Sequence, residues 1–115
     1  MARNSILNPE VVRTLAHGSM GTSYAAIGTP LNYPARAMLI QNLTNGNLMF
    51  SFDGTDDHFP IAADSFLLLD ISSNRIDDSG LFLSANETLY VKHIENPTTG
   101  SVYFTTFYGA DHHIA

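Results

Sequence analysis

The chain has no cysteine and no tryptophan among its 115 residues, which excludes a disulfide framework, a thiol nucleophile and a thiolate metal site. Charge is scarce as well. Only 14% of residues are Asp, Glu, Lys or Arg, against roughly 25% in ordinary globular domains, and Lys92 is the single lysine. The basic residues Arg3, Arg13, Arg36, Arg75 and Lys92 are scattered, and the net charge is −6. Phosphate neutralisation needs clustered cations, so direct nucleic-acid binding is disfavoured. Long apolar runs are also missing. Ala37-Met38-Leu39-Ile40 and Phe66-Leu67-Leu68-Leu69 fall far short of the ~20 residues of a membrane span. The opening MARNSILNPE has no signal-peptide apolar region, so the expectation is a soluble chain made in the cytoplasm with no membrane partner.

What is present is a chain 44% hydrophobic overall and long enough to bury one core without a metal or disulfide. An apolar-rich chain with so few charges suits a subunit that hides much of its exterior against neighbours.

The stretch from residue 35 to 70 organises the rest. Residues 37 to 43 and 48 to 53 flank Thr44-Asn45-Gly46-Asn47, and Asn-Gly is a strong hairpin signal because a type I′ turn needs positive φ at both central positions. These two runs are expected to pair antiparallel. In the second run Leu48, Phe50 and Phe52 alternate with Met49, Ser51 and Asp53, a period of two that turns the first set toward a core. Pro60 confines residues 58 to 61 to a sheet edge or a bulge. Residues 65 to 71 are apolar on both faces through Phe66, Leu67, Leu68 and Leu69, which predicts something packed on each side.

Residues 1 to 21 lack strand alternation. Asn8 as N-cap, Pro9 in the first turn and the stripe Val11, Val12 and Leu15 predict a short helix that ends by Gly18 and Gly21. This arm either lies along the domain, reaches an adjacent copy or hangs loose. Residues 22 to 28 make a weak strand, residues 29 to 34 a proline-bearing surface connection, residues 72 to 80 a polar loop, and residues 81 to 83 a brief strand or plug. Residues 88 to 94 and 101 to 108 are expected to form a second hairpin about the turn at 96 to 100, followed by the loose tail ADHHIA. The expected architecture is all-β, an antiparallel β-sandwich or jelly-roll-like barrel with an extended or partly helical N-terminal arm. Its segments are an arm at 1–21, a sandwich domain at 22–110 and a tail at 111–115.

No residue cluster spells a reaction. Asp53, Asp56, Asp57 and His58 offer carboxylate and imidazole ligands in one tight loop, but their spacing fails the EF-hand pattern, and Asp with Gly is also what any tight turn selects. Among the five histidines, His112 and His113 cannot form the one-face pair of H-E-x-x-H, and no helix carries His17, His58 or His93. Gly18-Ser19-Met20-Gly21 is one residue short of the G-x-S-x-G elbow. Neither an enzyme, a metal site nor a cofactor is expected. Tyr24, Tyr90, Tyr103 and Phe107, on the outer faces, suit either a sugar-stacking platform or the anchors of a protein interface.

The series SYAAIGTPLNYPARAMLIQNLTNGNLMFSFDG, DDHFPIAADSFLLLDISSN, LYVKHI and GSVYFTTFYG resembles small structural proteins of tailed bacteriophages. The likeness covers residues 23 to 109, and the SFDG-x-x-DH turn is its most recognisable part. It implies a β-sandwich virion protein that decorates or cements the capsid or forms part of the head-to-tail or tail assembly. Its partners would be capsid, portal/connector or tail proteins and copies of itself, and its location the virion. A glycan-binding module of a phage tail is the alternative. Candidate contact residues are Val11, Val12 and Leu15 of the arm, Asp53, Asp56, Asp57 and His58 of the loop, and Tyr103 among the outer aromatics.

Overall fold

The computed structural model describes residues 3–70 and 84–113, with side chains over 8–70 and 84–109. The polar loop expected at 72–80 and the brief strand expected at 81–83 lie outside these residues. The described chain is all-β: β1 (Arg3–Pro9), β2 (Arg13–Ala16), β3 (Ala25–Ala26), β4 (Ala35–Thr44), β5 (Leu48–Ser51), β6 (Phe59–Ile61), β7 (Ser65–Asp70), β8 (Tyr90–His93) and β9 (Gly100–His113), with one 3-10 turn at His17–Ser19. They form two antiparallel sheets. The larger runs β1-β9-β4-β7, with β2 also paired to β9, and the smaller runs β3-β8-β5-β6.

Strand alternation places the core between the sheets. Ile40, Val102 and Phe104 of the larger sheet form one cluster with Leu48, Phe50 and Val91 of the smaller sheet, all out of solvent. Burying one such Phe or Leu stabilises the fold by about 1.5–3 kcal/mol. Leu48 and Phe50 face inward as their alternation predicts, and Phe52 packs against the same cluster. Pro60 sits on β6, the edge of the smaller sheet, where its missing N–H costs no ladder bond.

Both expected hairpins are absent, because each pair of runs is divided between the sheets. β4 pairs with β7 and β9, whereas β5 pairs with β6 and β8. The connection at 45–47 is an arch from one sheet to the other, and neither Asn45 nor Gly46 has positive φ. Buried polar side chains hold it. The Asn42 amide lies within hydrogen-bond reach of the carbonyls of Gly46, Ile61 and Ala62, the Thr44 hydroxyl donates to Asn42 Oδ1 at 2.6 Å, and the Asn45 side chain is bonded to Thr98. Glycine is needed at 46 for space, since a Cβ there would lie 2.6 Å from the Glu95 carbonyl oxygen. The turn at 96–100 is likewise an arch, carrying the chain from β8 in one sheet to β9 in the other.

The helix expected from Asn8 is also absent. Its residues belong to β1, which pairs with β9 from Pro9↔Phe107 to Arg3↔His113, and to the link into β2. The preference of a residue before proline for extended backbone and the β-branched pair Val11-Val12 oppose a helix too short to hold itself in water, while pairing with β9 satisfies the same backbone groups. For the same reason residues 110–113, expected as part of a loose tail, continue β9 against β1. The fourteen residues of β9 span about 46 Å at ~3.3 Å each, close to the longest dimension of the molecule, 54 Å.

Candidate functional site

Register changes by one residue between Pro9↔Phe107 and Arg13↔Phe104, so Val11-Val12 is bulged opposite Thr105. The bulge decides where two charges go. On a regular strand residues three apart face opposite sides, but here Glu10, whose N–H donates to the Thr106 carbonyl, and Arg13, opposite Phe104, both turn inward. The Arg13 guanidinium donates to Glu10 Oε1 at 2.8 Å and to the carbonyls of Thr29 and Pro30. Glu10 also accepts from the N–H groups of Asn32 and Tyr33. Burial pushes the Glu10 carboxyl up, but the bonds from Arg13, Asn32 and Tyr33 and the charge of Arg13 outweigh it and hold it below its ordinary value. Arg13 Nη1 and Thr106 Oγ1 are buried without a partner.

This pair forms part of the wall of a pocket of about 460 Å³ with Asn32, Tyr33 and Tyr108. The two tyrosine rings stack at 4.0 Å between centroids and 14° between planes. Burial, then the charge and hydrogen bond of Tyr33, raise the Tyr108 phenol. Sequence reasoning missed this site. An acid and a base three residues apart read as a helical pair, and nothing local announces the bulge.

The predicted loop does bring Asp53, Asp56 and His58 together, with candidate ligand atoms all within 4.8 Å of one another. One carboxylate oxygen and one ring nitrogen of the cluster are taken up by the turn itself. Asp53 Oδ1 accepts from the Ser51 hydroxyl and the N–H groups of Thr55 and Asp56, each at 2.8 Å. These bonds hold the Asp53 carboxyl well below the usual carboxylate range. His58 Nδ1 accepts the Phe52 N–H at 2.9 Å, which puts the proton of the neutral ring on Nε2, 4.0 Å from Asp53 Oδ2. Asp57 turns to the smaller sheet, accepting from the Tyr24 hydroxyl and pairing with Lys92 at 3.0 Å. Those two bonds lower its pKa, and Lys92 also lies over the Tyr24 ring. Desolvation, then the bond to Asp57, raises the Tyr24 phenol.

The outer aromatics do not make one platform. Tyr24 and Tyr90 stand with this loop, Tyr90 against Gly54, whereas Tyr103 and Phe107 lie on the outer face of the larger sheet. On the arm, Val11 is 86% exposed and Val12 is exposed, but Leu15 packs on the core. The bulge therefore divides the expected stripe.

Tyr103 lies on an apolar face of the larger sheet. Outward-facing residues cross the larger sheet in register: Phe66 beside Gln41 beside Tyr103, then Leu68 beside Leu39 beside Thr105. Phe66 is 66% exposed, Leu68 61%, and Leu43 of the same face is also exposed. Among the described residues nothing packs on this face, so the cover expected on both sides of β7 is present on one. The acids Asp53, Asp56 and Asp57 lie on the smaller sheet's loop, while Asp70, opposite Ala37, and Arg36, beside Gly109, stand at the margin of the apolar face. No family model, curated protein or solved structure matches this chain.

Proposed function

We propose that this chain is a non-enzymatic structural protein of a tailed-bacteriophage virion that decorates or cements the capsid or forms part of the head-to-tail or tail assembly. The observation that supports it most is the apolar face over β7, β4 and β9 that the other described residues leave exposed, on a protein short of charge. Such a face has almost no ionic groups to desolvate on contact, and repetition around a ring or lattice converts modest contacts into durable attachment. The all-β sandwich supplies a rigid support for it. Mass spectrometry of purified particles grown from the genome encoding the chain tests the reading. Several copies per particle are expected, and their absence from intact particles would overturn it.

A second reading, a glycan-binding module of a tail, is favoured by the Tyr33–Tyr108 stack beside Asn32, Glu10 and Arg13 in the pocket. Aromatic rings with hydrogen-bonding groups suit a sugar, which has apolar CH faces and hydroxyl edges. Binding of the purified chain to host surface polysaccharide, lost on Tyr33→Ala, would support it, and binding unaffected by that change would remove this pocket from the reading.

A further inference from the structure

We infer that the pocket beside the bulge between β1 and β2 is a preformed seat for one uncharged pyranose ring, stacked on Tyr33, and that it turns acidic sugars away. The inference deepens the glycan reading above and rests on it, since it names the class of sugar that the same pocket takes. Three observations carry it.

The first is that the site is held in shape before any ligand arrives. Arg13 donates to the carbonyls of Thr29 and Pro30, and Glu10 accepts from the N–H groups of Asn32 and Tyr33. One buried ion pair thus fixes the connection at 29–33, the segment that brings Thr29, Asn32 and Tyr33 into the pocket wall. A wall fixed in this way loses little conformational freedom on binding, which lets a small ligand with few contacts be held. Glu10 and Arg13 act here as positioning residues. Their side chains are almost wholly covered, and the ligand meets what they hold in place.

The second is the ring. Tyr108 stacks on one face of Tyr33, yet Tyr33 is still 47% exposed, so its open surface is the opposite face and the ring edge. In the same wall stand the exposed side chains of Thr29 and Asn32, a hydroxyl and an amide that can each donate and accept. A pyranose matches both, with C–H groups that lie on an aromatic face and hydroxyls at its rim. The volume of about 460 Å³ lies toward the lower end of the roughly 300–1,000 Å³ of ligand sites, which suits a single ring.

The third is charge. Glu10 and Arg13 are the ionic residues of the lining, and they neutralise each other at 2.8 Å. Arg13 Nη1 has no partner, but it is out of solvent and so out of reach of an entering carboxylate. An acidic sugar would give up hydration without finding an unmatched cation, on a chain that carries −6. An uncharged sugar gives up far less.

The test is titration of the full chain with methyl glycosides at neutral pH, read by saturation-transfer NMR and by the shifts of the tyrosine rings. At least one glycoside of glucose, galactose or mannose is expected to bind with a Kd of about 1 mM, the scale for a ligand of about a dozen non-hydrogen atoms. The methyl glycoside of the matching uronic acid should bind at least about tenfold more weakly. Tyr33→Ala should weaken the uncharged glycoside about tenfold, and Tyr33→Phe, which keeps the ring, by less than about threefold. Tyr103→Ala, on the outer face of the larger sheet, should leave binding unchanged. Circular dichroism confirms that each variant is folded, and should Tyr33→Ala fail to fold, Asn32→Ala carries the test with a loss of about tenfold. No binding of any uncharged glycoside at about 50 mM, far above that Kd, overturns the inference. A uronate bound as tightly, or binding indifferent to Tyr33→Ala, overturns it too. Retention on host polysaccharide without binding of the glycosides would remove this inference alone and leave the glycan reading standing, and loss of both would remove both.

Discussion

Glu10 and Arg13 meet at 2.8 Å with side chains only 4% and 6% exposed, brought to the same side of an edge strand by the bulge between them. Removing one partner strands a buried charge, which costs about 3–5 kcal/mol. Arg13→Met is therefore expected to lower the unfolding free energy by that order, and Glu10→Leu with Arg13→Met to recover a large part of it. Urea denaturation of both variants checks this, and a double variant no better than the single one would refute the pairing argument.

Glycine positions separate close approach from mere turn preference. At Gly46 a Cβ meets the Glu95 carbonyl, and at Gly100, with φ +88, it runs into the Leu43 carbonyl. Gly46→Ala and Gly100→Ala should each cost about 2 kcal/mol or more. Gly21, with nothing within 4 Å of a Cβ, should accept Ala within about 0.5 kcal/mol. Thermal midpoints of the three variants give the ranking directly.

Asn42 bridges the arch after β4 and the end of β6 through the carbonyls of Gly46, Ile61 and Ala62. Asn42→Ala leaves buried acceptors unsatisfied, with an expected loss of about 2–3 kcal/mol. Asn42→Leu should restore volume without restoring stability. If it equalled the wild type in chemical denaturation, packing rather than hydrogen bonding would hold the arch.

Acid should weaken the fold through Glu10, Asp53 and Asp57, whose carboxyls are all held below their ordinary values. A carboxyl lower in the folded state than its unfolded value of about 4 contributes its stability above that pH. The contribution is lost as pH falls through the folded value. Urea midpoints should hold steady from pH 7 to about 5 and decline below about 4, less steeply in Glu10→Gln. An identical slope in that variant would show that Glu10 is not among the groups responsible.

Calcium should leave stability unchanged, because Asp53 Oδ1 is already committed to three hydrogen bonds from its own turn and the exposed residues of the cluster hold too few further oxygens in place for an ion that takes about six to eight. With about 1 mM calcium the thermal midpoint is expected to move by less than about 1 °C, since a ligand stabilises only in proportion to its occupancy of the native state. A larger rise, reversed by chelator and lost in Asp56→Asn, would make the loop a metal site.

Much of the architecture is legible in local patterns. Alternation at Leu48 and Phe50, at Val91, and at Val102 and Phe104 identifies strands and their inward faces, and Pro60 marks an edge. Partner choice is not legible that way. Asn45-Gly46 carries the sequence signal of a hairpin, yet here Gly46 is required by the nearness of the Glu95 carbonyl, a neighbour nearly fifty positions away. The loop at 53–58 was legible as a cluster, but its hydrogen bonds, which decide its chemistry, required the turn geometry. The pocket by Tyr33 and Tyr108 left no local trace, because it joins residues from opposite ends of the chain.

The amino-acid order alone determined that this protein is all-β and which side of most strands turns inward, because a period of two is a property of neighbouring residues. Tertiary structure alone decided that consecutive strands divide between two sheets, that the N-terminal stretch joins β9 instead of coiling, and that Phe66 and Leu68 are left bare. Those outcomes depend on which distant backbone groups and apolar surfaces satisfy one another, and no local pattern carries that information.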